Sequence, residues 1–426
     1  LVTQAGKDRQ EGTEGVRPAE RPGAFAPFKY PVFRAIWIAN LTSNLGAMVQ
    51  SVAAAWLMTE LTDSNQLIAL IQASTTLPIM LFGLVAGAIA DNFDRRRVML
   101  AAQTGMLITS AALAALTYAG MIGPISLIAF TVTVGIGTAL NSPAWQSSVR
   151  QTVPRDELPQ AIALNSMSFN TARSVGPALG GLLISLWDTS LAFTLNAVSY
   201  IALIVVLLRW RPPPRQISRR PILPAIGVGL RFCFSSSPIR RLLIRGGFLG
   251  FCIAGYQALL PAVVGEQLGG SEIDFGMMLA VFGVGSIVAA PFVREIRSRI
   301  ELEGVLAISV LFYLIAMSVV AEVHAVVWAA PVALLAGMAW VAIMTSMSTA
   351  MQFRSPDEVL GRCLSTYQAI TFGGMAIGAW FWGAIADAVS LPVALHAASA
   401  LLAVGSALLW RFAPVPKAGE GVVEPQ

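Results

Sequence analysis

Twelve long apolar runs, broken by short charged intervals, constrain this chain more than any other feature. They lie at approximately 35–59, 66–90, 98–119, 124–144, 160–187, 190–210, 242–265, 274–293, 303–322, 325–350, 363–387 and 391–411. A helix needs about 20 mostly apolar residues to cross a bilayer, and each run meets that length within a few residues. The surrounding composition agrees: 56% of the 426 residues are hydrophobic, only 12% are charged, and such a chain has too little polar surface to enclose itself in water. The formal net charge of +5 would suit nucleic acid on a soluble domain, but here the basic residues sit between apolar runs. We expect an all-α integral membrane protein with a lipid bilayer as its partner and no nucleic acid.

Charge gives the orientation. If twelve spans alternate, 27 of the 28 Lys and Arg residues fall on one side, including Lys29, Arg34, Arg95 to Arg97 and the arginines of the central loop. The exception is Arg173, inside the fifth span. The opposite loops carry acids such as Glu60, Asp63, Asp188, Glu266, Glu272, Asp274 and Glu322. By the positive-inside rule both termini are cytoplasmic, in a plasma membrane of the bacterial inner-membrane type. One miscounted span would invert every later loop, so the segregation supports the count as well as the orientation.

The expected organisation is a disordered cytoplasmic tail over 1–30, a six-helix half over 31–211, and a basic central loop over 212–240. A second six-helix half over 241–413 and a short tail over 414–426 follow. Within the central loop, Ile222 to Phe234 has the pattern of a short interfacial helix, with a solvated linker as the alternative. The halves echo each other at an offset of 202: Pro154 on Pro356, Gly176 on Gly378, Gly181 on Gly383, Arg95 on Arg297. Parallel repeats joined by a basic loop are the plan of a rocker-type secondary transporter.

Two motifs make the resemblance specific. "GAIADNFDRRR" resembles the signature loop of the major facilitator superfamily, with Gly87, Asp91, Arg95 and Arg96 on its key positions. "GPALGG", Gly176 to Gly181, resembles the fifth-span motif of the superfamily's exporters, and the wording around it is similar to the macrolide-efflux and enterobactin-exporter-like branch. The resemblance implies a proton-driven exporter of an amphiphilic, drug-like or siderophore compound, working by alternating access; we expect a monomer without cofactor or metal. Asp94 stands where the signature loop has glycine. The second-half copy of the loop has Ala289 and Val293 in place of Gly87 and Asp91, and Thr131 replaces the arginine of the fourth-span motif.

These motifs supply the candidate switch residues: Gly87, Asp91, Arg95 and Arg96 in the loop, and Gly176, Pro177, Gly180 and Gly181 in the fifth span. An acid at the membrane edge beside a helix N-terminus is stabilised there, so Asp91 is expected to latch onto the start of the eleventh span when the cytoplasmic side closes; anchoring of the loop outside the lipid is the alternative. The glycines allow close helix approach, and Pro177 removes a backbone hydrogen bond. Cavity candidates come from polar residues at helical spacing: Asn40 and Asn44 on the first span, Asn170 and Arg173 on the fifth, with Gln72, Gln257, Tyr367 and Gln368 on others. Arg173 is read either as held by a structural partner or as the positive charge that an anionic substrate meets.

Several chemistries are absent from the sequence. No phosphate-binding GxxxxGK[ST] loop exists, there is no HExxH, and Cys233, Cys252 and Cys363 have no metal-ligand spacing, so they read as small buried hydrophobes. The reading is therefore a transporter and not an enzyme. An importer of a small metabolite, or a membrane receptor that moves nothing, remain the alternatives.

Overall fold

A computed structural model describes residues 23–149, 151–210, 222–356 and 359–415. The described residues form thirteen α-helices: α1 Pro31–Leu61, α2 Asn65–Asn92, α3 Arg95–Tyr118, α4 Pro124–Val149, α5 Leu158–Leu186, α6 Thr189–Arg209, α7 Ile222–Ser235, α8 Ser237–Ala262, α9 Glu272–Arg299, α10 Leu302–Glu322, α11 Val326–Arg354, α12 Leu360–Ala388 and α13 Leu391–Phe412. Twelve of these have 21 residues or more, and the thirteenth, α7, has 14 and coincides with the expected interfacial helix. Ten are long and apolar enough to cross a membrane. The two long helices left out are α1 and α5, whose polar residues lower their mean hydropathy. Among those residues are the cavity candidates Asn40, Asn44, Asn170 and Arg173.

Polar side chains fix where helices start. Ser64 accepts a hydrogen bond from the Leu67 amide at the head of α2, and Ser390 does the same for Val393 at the head of α13. Ser271 and Asp274 form a reciprocal capping box on α9. Asp94, unexplained by the signature loop, has its reason here: its carboxylate accepts from the Arg97 amide at 3.1 Å and caps α3.

The internal repeat is visible in the packing. In the first six long helices α1 packs on α5 and α6, α2 on α4, and α3 on α4 and α6. In the last six α8 packs on α12 and α13, α9 on α11, and α10 on α11 and α13, which are the same pairs advanced by one repeat. The two sets meet along two principal seams, α2 with α12 and α5 with α9, and these two pairs are also exchanged by the repeat.

Buried polar groups stiffen each set. Gln50 Oε1 accepts from Ser110 Oγ at 2.8 Å and from Asn196 Nδ2 at 2.6 Å, tying α1, α3 and α6 together. In the second set buried Arg245 bonds Glu303 at 2.8 Å, the Leu409 carbonyl at 2.9 Å and the Ala413 carbonyl at 3.0 Å. Arg96 likewise binds the Leu207 and Leu208 carbonyls at 2.7 and 2.8 Å, at the end of α6.

Candidate functional site

The two ends of the bundle differ chemically. One end, the acidic face, gathers the carboxylates of Glu60, Asp63, Asp188, Glu272 and Asp387 at helix termini; the opposite, basic face holds the first turns of α3 and α10 and the short helix α7.

At the acidic face both seams are closed. On the first, Asp387 at the end of α12 accepts from Ser64 Oγ at 2.6 Å, from the Asn65 amide, and from the Gln66 amide at 3.2 Å, so a carboxylate occupies the N-terminus of α2. Gly383 lies against the same turn, where an added Cβ would stand 2.7 Å from Gln66 Cα. Further along, Gly373 meets the side chain of Met80, while beyond it Gly83 has open space and Leu81 is exposed.

The second seam closes without charge. Gly181 meets the Glu272 carbonyl, a Cβ on Gly276 would lie 2.5 Å from the Pro177 carbonyl, and one on Gly283 would lie 2.7 Å from Ser174 Cα. Trp56 of α1 stacks on Phe275 of α9 with ring centroids 6.1 Å apart. On the basic side of Arg173, Met167 and Phe169 of α5 are exposed. These close glycine contacts run from the acidic face to mid-bundle.

Arg173 stands at the innermost of them, its carbonyl and Ser174 lying against Gly283. It lies fifteen residues into α5, about 22 Å along it. Its guanidinium carbon is 5.3 Å from the Phe282 ring centroid on α9 and 5.6 Å from that of Trp340 on α11. Thus the side chain leaves the first helix set and rests on aromatic rings of the second. Both rings are buried, and Arg173 itself is partly buried. It belongs to none of the four ion pairs found among the described residues. Beside it, Gln257 Nε2 donates to Tyr313 Oη at 3.4 Å, and Tyr256 meets Tyr313 edge to face with centroids 6.1 Å apart.

The other cavity candidates divide. Asn40 is buried and donates to Asn165 Oδ1 at 3.3 Å, an oxygen that also accepts from Trp145 Nε1, so Asn40 joins α1 to α5 within one set. Asn44, Gln72 and Asn170 are partly buried and Gln368 is exposed. Tyr367 is buried, with its ring against Gly246 and its hydroxyl without a partner. Of the eight, Arg173 and Gln257 share one neighbourhood through Tyr313.

The switch candidates divide too. A Cβ on Gly176 would lie 2.5 Å from Met48 Cβ, and one on Gly180 would lie 3.1 Å from Val52 Cβ, both on α1, so these glycines serve packing within the first set. Gly181 and Pro177 face α9 across the seam. Arg96 fastens α6, and Arg95 opens α3. Gly87 and Asp91 lie in the last turns of α2, and the Asp91 side chain falls outside the described residues. Cys233 of α7 and Cys363 of α12, far apart in sequence, have sulfurs 3.5 Å apart; all three cysteines are buried.

Sequence reasoning missed Phe282, Trp340 and Tyr313, which sit in apolar runs where an aromatic carries no periodic signal. It also missed Gln50 and Asn196, although an amide in an apolar run is a readable sign that a partner exists.

Residues 22–425 match the family described as transmembrane secretion effectors. The chain belongs to that family. Among curated relatives of this secretion effector, the enterobactin exporter of Shigella boydii serotype 4 is 27% identical over 89% of this chain and 91% of its own. The staphyloferrin A transporter of Staphylococcus aureus is 24% identical over 64% of this chain and 69% of its own. Among solved structures, an inward-facing, unoccupied bacterial homologue of the human lysosomal transporter Spinster superposes with a TM-score of 0.71 at 16% identity, covering 90% of this chain and 97% of the other. A peptide-transporter-family structure bound to 5-aminolevulinic acid gives 0.73 at 13% identity, over 93% and 99%. Family and fold together identify a major facilitator membrane transporter, not an enzyme.

Proposed function

We propose that this chain exports an anionic, siderophore-like small molecule across the bacterial inner membrane by alternating access, with protons as the driving ion. The observation that carries the reading is Arg173: a guanidinium at mid-bundle that reaches from one helix set onto aromatic rings of the other, with no carboxylate paired to it among the described residues. A charge in the middle of a spanning helix costs about 2.5 to 3.5 kcal/mol on insertion scales, so its retention is a mark of function. The names of the curated relatives, two of them siderophore transporters, support export of such a compound.

The segments 31–211 and 241–413 are the rocking units in this reading, in a monomer whose basic face lies in the cytoplasm. The structure is then the inward-facing state, sealed by the two seams at the acidic face. Substrate rises between the sets to Arg173, and release of the α2–α12 seam, with sliding along α5–α9, lets it leave outward.

Orientation is tested with single cysteines in a cysteine-free background: one at Asn92 should react only from the cytoplasm and one at Ser271 only from outside. Transport is tested in everted vesicles with a siderophore supplied outside and an imposed proton gradient, acidic inside. Uptake that the gradient accelerates, and that Arg173→Gln reduces while thermal stability is kept, supports the reading. Labelling of Asn92 from outside overturns the orientation, and vesicles that move nothing overturn export.

A further inference from the structure

We propose that the Arg173 site selects aromatic anions, with Phe282 and Trp340 as specificity-determining residues; this rests on Arg173 facing the transport path. The charge count comes first. No Asp or Glu lies in the middle third of any described long helix, so the negative charge that Arg173 lacks is supplied neither by its own helix nor by a facing one. Two ring faces at 5.3 and 5.6 Å attract the cation through their quadrupoles but leave its full charge in place.

The surroundings then choose the kind of anion. The guanidinium rests on rings from α9 and α11, with Tyr313 nearby. A saturated anion arriving here gains charge pairing and contact area only. A planar aromatic one also gains offset or edge-to-face geometry against Trp340 and Phe282, and can stack on the guanidinium plane. The site carries a further sign of a polar ligand: Tyr256, edge to face with Tyr313, is 1% exposed and its hydroxyl has no hydrogen-bond partner. An unmatched buried donor suits an oxygen-bearing ligand. The predicted class is therefore a flat aromatic group that bears a carboxylate or ionised phenolic oxygen.

Three probes of matched size separate the terms: 2-naphthoate, decahydro-2-naphthoate and the neutral 2-naphthalenemethanol, titrated calorimetrically into the full chain in lipid nanodiscs. We expect naphthoate to bind about tenfold tighter than its saturated analogue, in keeping with aromatic and cation–π contributions. Arg173→Gln should weaken both acids about tenfold or more and leave the alcohol unchanged. Trp340→Leu should bring the ratio of the two acids close to one, and Trp340→Phe should restore most of it. Equal affinity of native protein for the two acids overturns the proposal, as does a Trp340→Leu protein that still binds decahydronaphthoate normally and still prefers naphthoate. If Trp340→Leu does not fold, the native ratio and the Trp340→Phe ratio decide. Naphthoate preference without vesicle transport would overturn export and leave the ligand class standing; export of both acids at equal rates would overturn the class alone.

Discussion

The α2–α12 and α5–α9 seams are exchanged by the internal repeat, yet they are closed by different chemistry. The first ends in a carboxylate, Asp387, that accepts from the Ser64 hydroxyl and from two amides at the N-terminus of α2. The second brings backbone against backbone at Gly181, Gly276 and Gly283, with no carboxylate in these contacts, and its one charge is Arg173 on the Phe282 ring at the inner end. A hydrogen-bonded carboxylate is directional: it holds in one geometry and is lost over a short displacement. Glycine contacts have no such preference and permit sliding while the helices stay close. The difference assigns the α2–α12 seam the part of a catch and the α5–α9 seam the part of a bearing. In the proposed transport cycle, relative movement of the sets would carry the Arg173 charge on α5 across the rings of α9 and α11.

The largest test of this contrast is Gly276→Leu. With the Pro177 carbonyl so near, the seam cannot close around the new side chain, and overpacking of this kind costs about 1 to 3 kcal/mol or more. Transport should fall more than about tenfold, and spin-label distances across the acidic face should lengthen. Gly276→Ala should be milder in both measurements. Distances that do not change would deny α5–α9 its role as a bearing.

Gly180→Leu asks whether such losses arise from any tight glycine. Gly180 is buried against α1 and Ala178 is exposed, so Gly180→Leu should lower thermal stability and transport together while Ala178→Leu leaves both near normal. The acidic-face distances should stay as in the native protein. Equal effects of the two leucines would remove the specific packing face.

Asp387→Asn should act on the catch alone. Losing the charge on an exposed acceptor weakens its bonds by about 1 kcal/mol, so the acidic-face-open population should rise roughly fivefold with little change in melting temperature. If Asp387→Asn shifted nothing, the two seams would be alike in function in spite of their chemistry. The smallest effect is expected at the other end of α2. If Asp91 latches as the sequence leads us to expect, Asp91→Asn removes an attraction to a helix N-terminus worth about 0.3 to 1 kcal/mol and should move the population the opposite way, toward the inward-facing state. Unchanged transport and unchanged distances would leave the loop as an anchor.

Much of this was legible before any coordinates. The apolar runs, the alternating arginines and the repeat offset pointed to the helix order, a short helix from Ile222 and the kinship with major facilitator exporters, because hydropathy and charge are local properties. Arg173 was legible for the same reason, being the lone cation inside a span. Its partners were not. Phe282 and Trp340 lie more than a hundred residues away in runs rich in other apolar side chains, and only the crossing of α5 on α9 brings them together. Gly176, Gly180 and Gly181 were readable as a close-packing motif, but which neighbour each one meets depends on how α5 is rotated, about 100° per residue. Asp387 gave no signal, since an acid at the end of a span looks like any other membrane-edge charge until the start of α2 is found beneath it.

Arg96 and Arg245 carry a consequence for biogenesis. Each is a positive charge of the sort that orients a nascent chain in the membrane, and each also grips the final carbonyls of the last helix in its set, Leu207 and Leu208 in one case and Leu409 and Ala413 in the other. They do so from non-equivalent helices, α3 and α8, so the two sets have arrived at the same fastening separately. Charge editing designed to invert a segment during insertion would therefore also unpin a finished bundle, and the translocation phenotype and the degradation phenotype of such a variant would be inseparable at these two positions.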